Sequence, residues 1–162
     1  SGWQMGSDQT VFSLKDSAKG IDTKFAGLIC YESVFSEFVT EFSKNGAEYF
    51  VIVTNDGWWG NTSGPEQHNQ YAVLRAIENR KWIVRCAQTG VSCFIDPMGN
   101  IYDRIEYWQS GVVDRNIIGN TEKTFYAEHG DIIGLLGSIT AAISLLGSLS
   151  FYADRKKVKS IA

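Results

Sequence analysis

Residues 25–33 read FAGLICYES, an apolar run that leads directly into a cysteine and a short polar segment. This run predicts a buried strand over residues 25–29. Apolar residues then recur at helical spacing from position 34 to position 42, which predicts an amphipathic helix capped by Ser33. Cys30 is therefore predicted to lie where a strand passes into a helix. Helix amides there favour a thiolate and stabilise an oxyanion, but a cysteine beside an apolar strand is also common as a plain core residue.

Strand and helix patterns alternate along the rest of the body. A buried strand is predicted over residues 49–53, and a helix begins near Pro65 and ends near Asn79. The sequence DPMG at 96–99 indicates a type I turn. Further strands are predicted at 82–87, 91–95, 101–105 and 111–117. This order predicts an α/β fold with a mixed sheet.

The end of the chain differs in composition from the body. Residues 132–153 contain no charged side chain, and a helix of this length reaches roughly 33 Å, enough to cross a bilayer core. Four cations follow between Arg155 and Lys159, which is typical of the cytoplasmic side. We therefore predict an extracytoplasmic domain over residues 1–131, a transmembrane helix over 132–153 and a basic cytoplasmic tail over 154–162. A buried C-terminal helix of a soluble protein is the alternative.

Composition excludes several classes of function. The net charge is −3 and the cations are scattered, so nucleic-acid binding is not expected. Three cysteines without regular spacing are neither a disulfide framework nor a zinc pattern. Cys86 and Cys93 flank a predicted turn at residues 89–90, so either a disulfide or burial as two small apolar residues is open. No metal or cofactor is expected.

Few other side chains suggest chemistry. Glu32 fits favourable capping electrostatics at a helix N-terminus, or contact with a substrate amine. His68 and His129 have no obvious partner in the sequence, and His68 is interpreted as structural. Arg75 and Glu78 are three residues apart on one predicted helix, which predicts an ion pair.

Four ordered segments of the chain form a recognisable pattern. The first is GLICYESVF at 27–35, and the second is TNDGWWG at 54–60. The third runs from Gln67-His68 to RAIEN at 75–79, and the fourth is TGVS at 89–92 ahead of DPMG. Together they resemble the nitrilase, or carbon–nitrogen hydrolase, superfamily, and within it the bacterial apolipoprotein N-acyltransferases. Residues 126–131 also resemble the family's approach to its last helix, so the likeness covers about 25–153.

The resemblance implies the C-terminal half of an αββα sandwich followed by one transmembrane helix. It implies that Cys30 takes an acyl group from a phospholipid as a thioester and passes it to the N-terminal amine of a diacylglyceryl-cysteine on an apolipoprotein. The Tyr31 amide would help to hold the oxyanion, and Glu32 would be an active-site carboxylate. Trp58 and Trp59 would lie near the lipid entry, or would simply pack within their loop. The implied location is the bacterial inner membrane, facing the periplasm or cell exterior.

One departure from the family concerns its Glu–Lys–Cys triad. The family's Glu and Lys come well before the Cys, but 29 residues precede Cys30, and Lys15, Lys19 and Lys24 match no family segment. Residues 1–20 contain no initiating methionine and no apolar signal segment. The chain is therefore expected to be an incomplete and, alone, inactive piece. A soluble hydrolase of an amide or nitrile, and a non-catalytic membrane-tethered domain with Cys30 in its core, are the alternatives.

Overall fold

A computed structural model describes residues 8–161, without the side chains of 149–151 and 153–161. It forms two compact units, one ending at Glu128 and one beginning at His129. The strands are β1 (Val11–Asp16), β2 (Ile21–Ile29), β3 (Tyr49–Thr54), β4 (Trp82–Ala87), β5 (Ser92–Ile95) and β6 (Ile101–Ile105). The α-helices are α1 (Ser36–Lys44), α2 (Gly64–Asn79), α3 (Phe125–His129) and α4 (Ile132–Ile161). Short 3₁₀ turns cover Cys30–Val34 and Gly57–Trp59.

The six strands form one sheet in the order β1-β2-β3-β4-β5-β6. The central strands β2, β3 and β4 are parallel, while β1 and the pair β5 and β6 add antiparallel edges. Parallel neighbours need crossover connections, which α1 and α2 supply. The predicted α/β fold with a mixed sheet is confirmed. The carboxyl ends of β2, β3 and β4 meet at one edge, where Cys30 follows β2 directly.

The core lies between one face of this sheet and the helices α1 and α2. Along the parallel strands β2, β3 and β4 every second residue points inward, and the apolar inward positions Ala26, Leu28, Phe50, Ile52 and Ile83 are fully buried. They pack with apolar residues of both helices, and the set includes Ala26, Leu28, Val39, Phe42, Phe50, Ile52, Ala72, Ala76 and Ile83. The opposite face is apolar as well, yet Phe12, Ile29 and Val53 are each about half exposed there. This unequal burial leaves one broad apolar face uncovered among the described residues.

Two strand predictions need correction. β1 was missed, because the polar residues among positions 11–16 resemble a loop, although β1 pairs along its whole length with β2. The predicted strand at 111–117 is wrong, since this segment has no regular structure. The chain just after this segment is held by a side chain, since the buried Lys81 Nζ donates to the carbonyl oxygens of Asn120 (2.7 Å) and Glu122 (3.3 Å). Alternation alone cannot form a strand where backbone partners are lacking.

The register of β4 and β5 decides between a disulfide and free thiols at Cys86 and Cys93. Cys93 lies opposite Arg85, so it shares the core face, while the neighbouring Cys86 points to the other face. Both thiols are free, with Cys93 buried and Cys86 exposed. A disulfide between them is therefore absent, and burial as an apolar residue holds for Cys93 only.

The second unit contains α4, which begins at Ile132, where the predicted span begins, and continues through the predicted tail to Ile161. Among the residues described, no helix has the length and apolarity needed to span a membrane, so the predicted span is not confirmed. The end of that predicted span and the basic tail fall largely on residues whose side chains are not described. Along the described part of α4 the large apolar side chains are exposed, at Ile133, Leu135, Leu136, Ile139, Ile143, Leu145 and Leu146.

Replacing Ile52 with alanine tests the position of the core. Ile52 is fully buried, so the change is expected to lower the free energy of unfolding of the complete protein by about 2–5 kcal/mol. The same change at Ile77, which is 46% exposed, is expected to cost about 1 kcal/mol or less. Urea unfolding followed by tryptophan fluorescence measures both, and equal losses would contradict the assigned core.

Candidate functional site

The Cys30 turn, defined as the 3₁₀ segment Cys30–Val34, follows β2 without a linker. Ile29 is still extended, with φ −98° and ψ 112°, whereas Cys30 has φ +52°. A left-handed conformation costs a residue with a side chain about 1–2 kcal/mol. The strand therefore reverses sharply at Cys30, and the thiol is partly exposed at the edge of the sheet. The predicted strand-to-helix position of Cys30 is confirmed, although α1 itself begins six residues later.

Three side-chain hydrogen bonds hold this turn. Glu32 accepts the Ile29 N–H at 2.8 Å, and the Ser33 hydroxyl donates to the Cys30 carbonyl at 2.9 Å. Arg75 Nη1, from α2, donates to the Val34 carbonyl at 2.7 Å. The prediction that Ser33 caps the following helix is wrong, because the Ser33 hydroxyl bonds the Cys30 carbonyl within the turn and the N-cap of α1 is Phe35. One carboxylate oxygen of Glu32 is therefore bound to the local backbone.

A buried polar network lies under the Cys30 turn. Its members come from three separate places: Asp56 follows β3, His68 is in α2 and Arg85 is in β4. His68 Nδ1 lies 2.9 Å from Asp56 Oδ1 and 3.2 Å from Arg85 Nη2, while Arg85 Nη2 donates to Asp56 Oδ2 at 2.7 Å. At the other side of the ring, His68 Nε2 is 3.2 Å from both the Cys30 carbonyl oxygen and the Ser33 hydroxyl. The network thus links the loop after β3 to the backbone of the cysteine.

The charge in this network is well compensated. Burial alone would raise the pKa of Asp56, but its hydrogen-bond contacts with His68, Arg85 and Thr54 and the Arg85 charge lower that pKa to about 2. Arg85 also donates through Nη1 to the Val91 carbonyl. Gly90, next to Val91, has no room for a side chain, since a Cβ there would lie 2.7 Å from the Asp56 carboxyl carbon. The chain after β4 is therefore closely packed on Asp56.

Aromatic rings flank the Cys30 turn on its exposed side. Tyr31 is 46% exposed, and its ring centroid lies 6.3 Å from that of Trp59 and 6.0 Å from that of Phe35. Trp58 stacks on Trp59 at 4.6 Å and is 69% exposed. Trp59 also meets the edge of the His68 ring at 5.3 Å. The two tryptophans thus extend an apolar surface from Tyr31 into the solvent.

The predicted ion pair of Arg75 and Glu78 is confirmed, with a separation of 2.8 Å. It belongs to a second set of contacts near the Cys30 turn. Glu78 accepts the Ser36 hydroxyl at 2.9 Å, and Ser36 lies 2.6 Å from the hydroxyl of Tyr126 in α3. Through Arg75, which donates to Val34, the end of the Cys30 turn is fixed to both α2 and α3.

The structure brings most of the predicted site residues together. Cys30, Tyr31 and Glu32 share one turn, and Trp59 packs against Tyr31, with Trp58 beyond it. Sequence reasoning missed the buried network, because it interpreted His68 as structural without a partner. One topological signal was available: the first turns of α2 must lie beside the carboxyl end of β3, and Asp56 stands two residues after that end.

Comparison with known proteins identifies relatives of this chain. Residues 3–124 match the model of the carbon–nitrogen hydrolase family. An apolipoprotein N-acyltransferase of Chlorobaculum tepidum is 40% identical over 133 residues, covering 82% of this chain and 25% of that protein. One of Agrobacterium fabrum is 38% identical over 128 residues, covering 78% of this chain and 24% of that protein. The chain thus spans about a quarter of these relatives.

Solved structures share the fold. A Saccharomyces cerevisiae member of branch 10 of the nitrilase superfamily superimposes with a TM-score of 0.55 at 21% identity. That match covers 66% of this chain and 40% of the yeast chain. An amidase from Nesterenkonia sp. gives a TM-score of 0.51 at 20% identity, covering 66% of this chain and 41% of the amidase. At these identities the likeness concerns the fold alone.

Replacing Asp56 with asparagine tests the buried network through pH. Because the pKa of Asp56 is about 2 in the folded protein and near 3.8 otherwise, its stabilising effect of about 2 kcal/mol is present above pH 4 and is lost as pH falls towards 2. Asp56→Asn is therefore expected to have a lower free energy of unfolding than the wild type at pH 7, and this difference is expected to shrink below pH 4. Urea unfolding at pH 7 and below pH 4 measures the difference.

The matched control is Asp22→Asn. The Asp22 carboxylate pairs with Lys15 in full solvent, and both side chains are 68% exposed, so this change is expected to have little effect at either pH. A gap for Asp56→Asn that does not change with pH would contradict the ionised, hydrogen-bonded state of Asp56.

Proposed function

Because the chain belongs to the carbon–nitrogen hydrolase family, we propose that it supplies the thiol nucleophile, Cys30, of an apolipoprotein N-acyltransferase. The observation that carries the proposal is the left-handed Cys30 turn at the carboxyl edge of the parallel strands. The two apolipoprotein N-acyltransferases described above, 40% and 38% identical over most of this chain, favour acyl transfer to a lipoprotein over hydrolysis of a small amide or nitrile.

The proposed reaction has two steps. The Cys30 thiolate attacks the ester carbonyl of a phospholipid, and the tetrahedral intermediate expels the lysophospholipid oxygen, which takes up a proton. The product is a thioester on Cys30. The α-amine of a diacylglyceryl-cysteine then attacks that thioester, the thiolate leaves, and the amine loses a proton as the amide forms. No step requires a metal or a redox cofactor.

Within the Cys30 turn, Tyr31 and Glu32 receive different proposed roles. The Tyr31 N–H lies in the first turn of a 3₁₀ helix, where amides have no partner inside the helix, and we assign it to the oxyanion. Glu32 is assigned to the site as a carboxylate with one oxygen bound to Ile29 N–H, so its main effect is on the shape of the turn. The family's Glu and Lys match no segment here, so the complete protein is proposed to supply them, and these residues alone are proposed to be inactive.

The exposed apolar face of the sheet supports the half-sandwich part of the proposal. Ile29, Val53 and Phe12 lie on this face with about half of their surface accessible. In an αββα sandwich a second sheet covers such a face. We assign this role to a second sheet of the complete protein, which would also bring further catalytic groups to the edge where Cys30 lies.

Membrane attachment through α4 completes the proposal. The exposed large apolar side chains along the described part of α4 suit a lipid environment, and four cations between Arg155 and Lys159 follow the predicted span. We propose that residues 132–153 of α4 lie in the bacterial inner membrane and that the domain before them faces the periplasm. Phospholipid donors would then reach Cys30 from the membrane surface.

Replacing Cys30 with alanine tests the nucleophile. The complete protein, incubated with a phospholipid, is expected to gain one acyl mass as a hydroxylamine-sensitive thioester, and Cys30→Ala is expected to gain none. Cys86→Ala, which removes the exposed thiol on β4, is expected to gain the acyl mass normally. Intact-protein mass spectrometry reads all three, and an acyl-enzyme that survives Cys30→Ala would refute the proposal.

Replacing Trp58 with alanine tests the proposed lipid-entry role of Trp58 and Trp59. Trp58 is 69% exposed beside the site, so its loss is expected to raise the KM for a long-chain phospholipid about tenfold and to leave a short-chain ester almost unaffected. Met98→Ala is the control, because Met98 is 74% exposed in the turn after β5, at the opposite edge of the sheet. Equal effects on both donors would indicate loop packing instead.

A further inference from the structure

The buried network of Asp56, His68 and Arg85 has no part in the two proposed chemical steps. Each of these side chains is at most 2% exposed, and each comes from a different element of the sheet and helix layers. Burying polar groups is unfavourable unless they are fully paired, and apolar residues of similar size would fill the same space. The placement of the network directly beneath Cys30 therefore suggests a role in the site.

The point of contact is the backbone of the cysteine. His68 Nε2 lies 3.2 Å from the Cys30 carbonyl oxygen, and the Ser33 hydroxyl donates to the same oxygen at 2.9 Å. A carbonyl oxygen can only accept, so His68 bonds it in the tautomer with the proton on Nε2, in which Nδ1 can accept from Arg85 Nη2. The ring is held from behind, since Nδ1 faces Asp56 and Arg85. The ring orientation is thus fixed from both sides.

The geometry of the peptide bond carries this orientation to the reaction. The bond between Cys30 and Tyr31 is trans, so its C=O and N–H point in opposite directions. When the buried His68 and Ser33 hold the Cys30 carbonyl inward, the Tyr31 N–H must point away from them. That N–H belongs to the residue after the nucleophile, the position from which nucleophile elbows donate to an oxyanion.

We propose that His68 is a positioning residue, which fixes the Cys30–Tyr31 peptide so that the Tyr31 N–H faces the oxyanion formed on Cys30. This inference rests on the proposed function for its substrate, but it applies to any acyl donor. His68 acts through the peptide and does not take the thiol proton. Its loss is therefore expected to impair acylation, which forms an oxyanion, and to spare alkylation, which forms none.

Two substitutions at position 68 separate the two sides of the ring. The amide of glutamine reaches where Nε2 lies, so His68→Gln keeps a donor for the Cys30 carbonyl. The amide of asparagine reaches only where Nδ1 lies, so His68→Asn keeps contact with Asp56 and loses the carbonyl. His129→Asn, the same change at the chain's other histidine, is the matched control. Ser33→Ala removes the second donor to the same oxygen and serves if His68→Asn does not fold.

The experiment uses the complete protein and two reagents. The rate of Cys30 acylation by p-nitrophenyl butyrate is compared with the rate of Cys30 alkylation by iodoacetamide. His68→Asn is expected to lower the acylation rate about 100-fold and the alkylation rate less than threefold, while His68→Gln stays within about tenfold of the wild type in both. Ser33→Ala is expected to lower acylation selectively, and His129→Asn is expected to change neither rate.

Three results would overturn the inference. Normal acylation by His68→Asn would show that the contact has no effect. An equal fall in both rates together with a lower melting temperature would show a structural role only. Loss of alkylation in both His68 variants would show that His68 acts on the thiol itself.

A parallel measurement separates this inference from the proposed function. Wild-type protein that is acylated by the p-nitrophenyl ester but not by a phospholipid would refute the proposed donor and leave the positioning role intact. Wild-type protein that forms an acyl-enzyme with neither compound would overturn both.

Discussion

The carbonyl oxygen of Cys30 lies within hydrogen-bonding distance of two buried side chains, and the geometry of the site depends on that contact. His68 and Ser33 contact this oxygen from the buried side of the turn. Strand β2 ends directly before Cys30, and the Cys30 turn begins with it. The Cys30 thiol at this corner is partly exposed, yet its backbone is held by the interior of the domain. The parallel strands supply the edge at which these groups meet.

The energies of the local hydrogen bonds explain why the sharp turn at Cys30 is stable. The left-handed backbone of Cys30 costs about 1–2 kcal/mol, and a typical hydrogen bond contributes about 0.5–1.5 kcal/mol. The bonds of Ser33 to the Cys30 carbonyl and of Glu32 to Ile29 N–H are therefore enough to offset the strain. Compared with apolar residues of similar size, the buried pair of Asp56 and Arg85 adds little net stability, although the ionised Asp56 is favoured within the network and removing one partner would leave the other uncompensated. This pair defines geometry more than it stabilises the fold.

How far the sequence predicted the structure depended on the kind of signal. Unbroken apolar runs predicted the second part of β2 and most of β3, and helical spacing with Pro65 predicted α2, because buried parallel strands and their crossovers have strong patterns. The edge strand β1 has polar residues, and the false strand at 111–117 has alternation without a backbone partner. Cys30 could be predicted as the nucleophile because it stands directly after a strand and within a segment that resembles the family's nucleophile motif. The partners of His68 could not be predicted, because Asp56 and Arg85 are 12 and 17 residues away and meet the ring only through the packing of α2 on the sheet.

The direction of the Cys30–Tyr31 peptide bond during acyl transfer can be observed in a crystal structure of the complete protein with a thioester trapped on Cys30. We expect the thioester oxygen to lie on the side of the Tyr31 N–H, within hydrogen-bonding distance, with the Cys30 carbonyl still against His68 and Ser33. An acyl group on another residue, or a Cys30 carbonyl turned away from His68 in the acylated protein, would contradict this expectation.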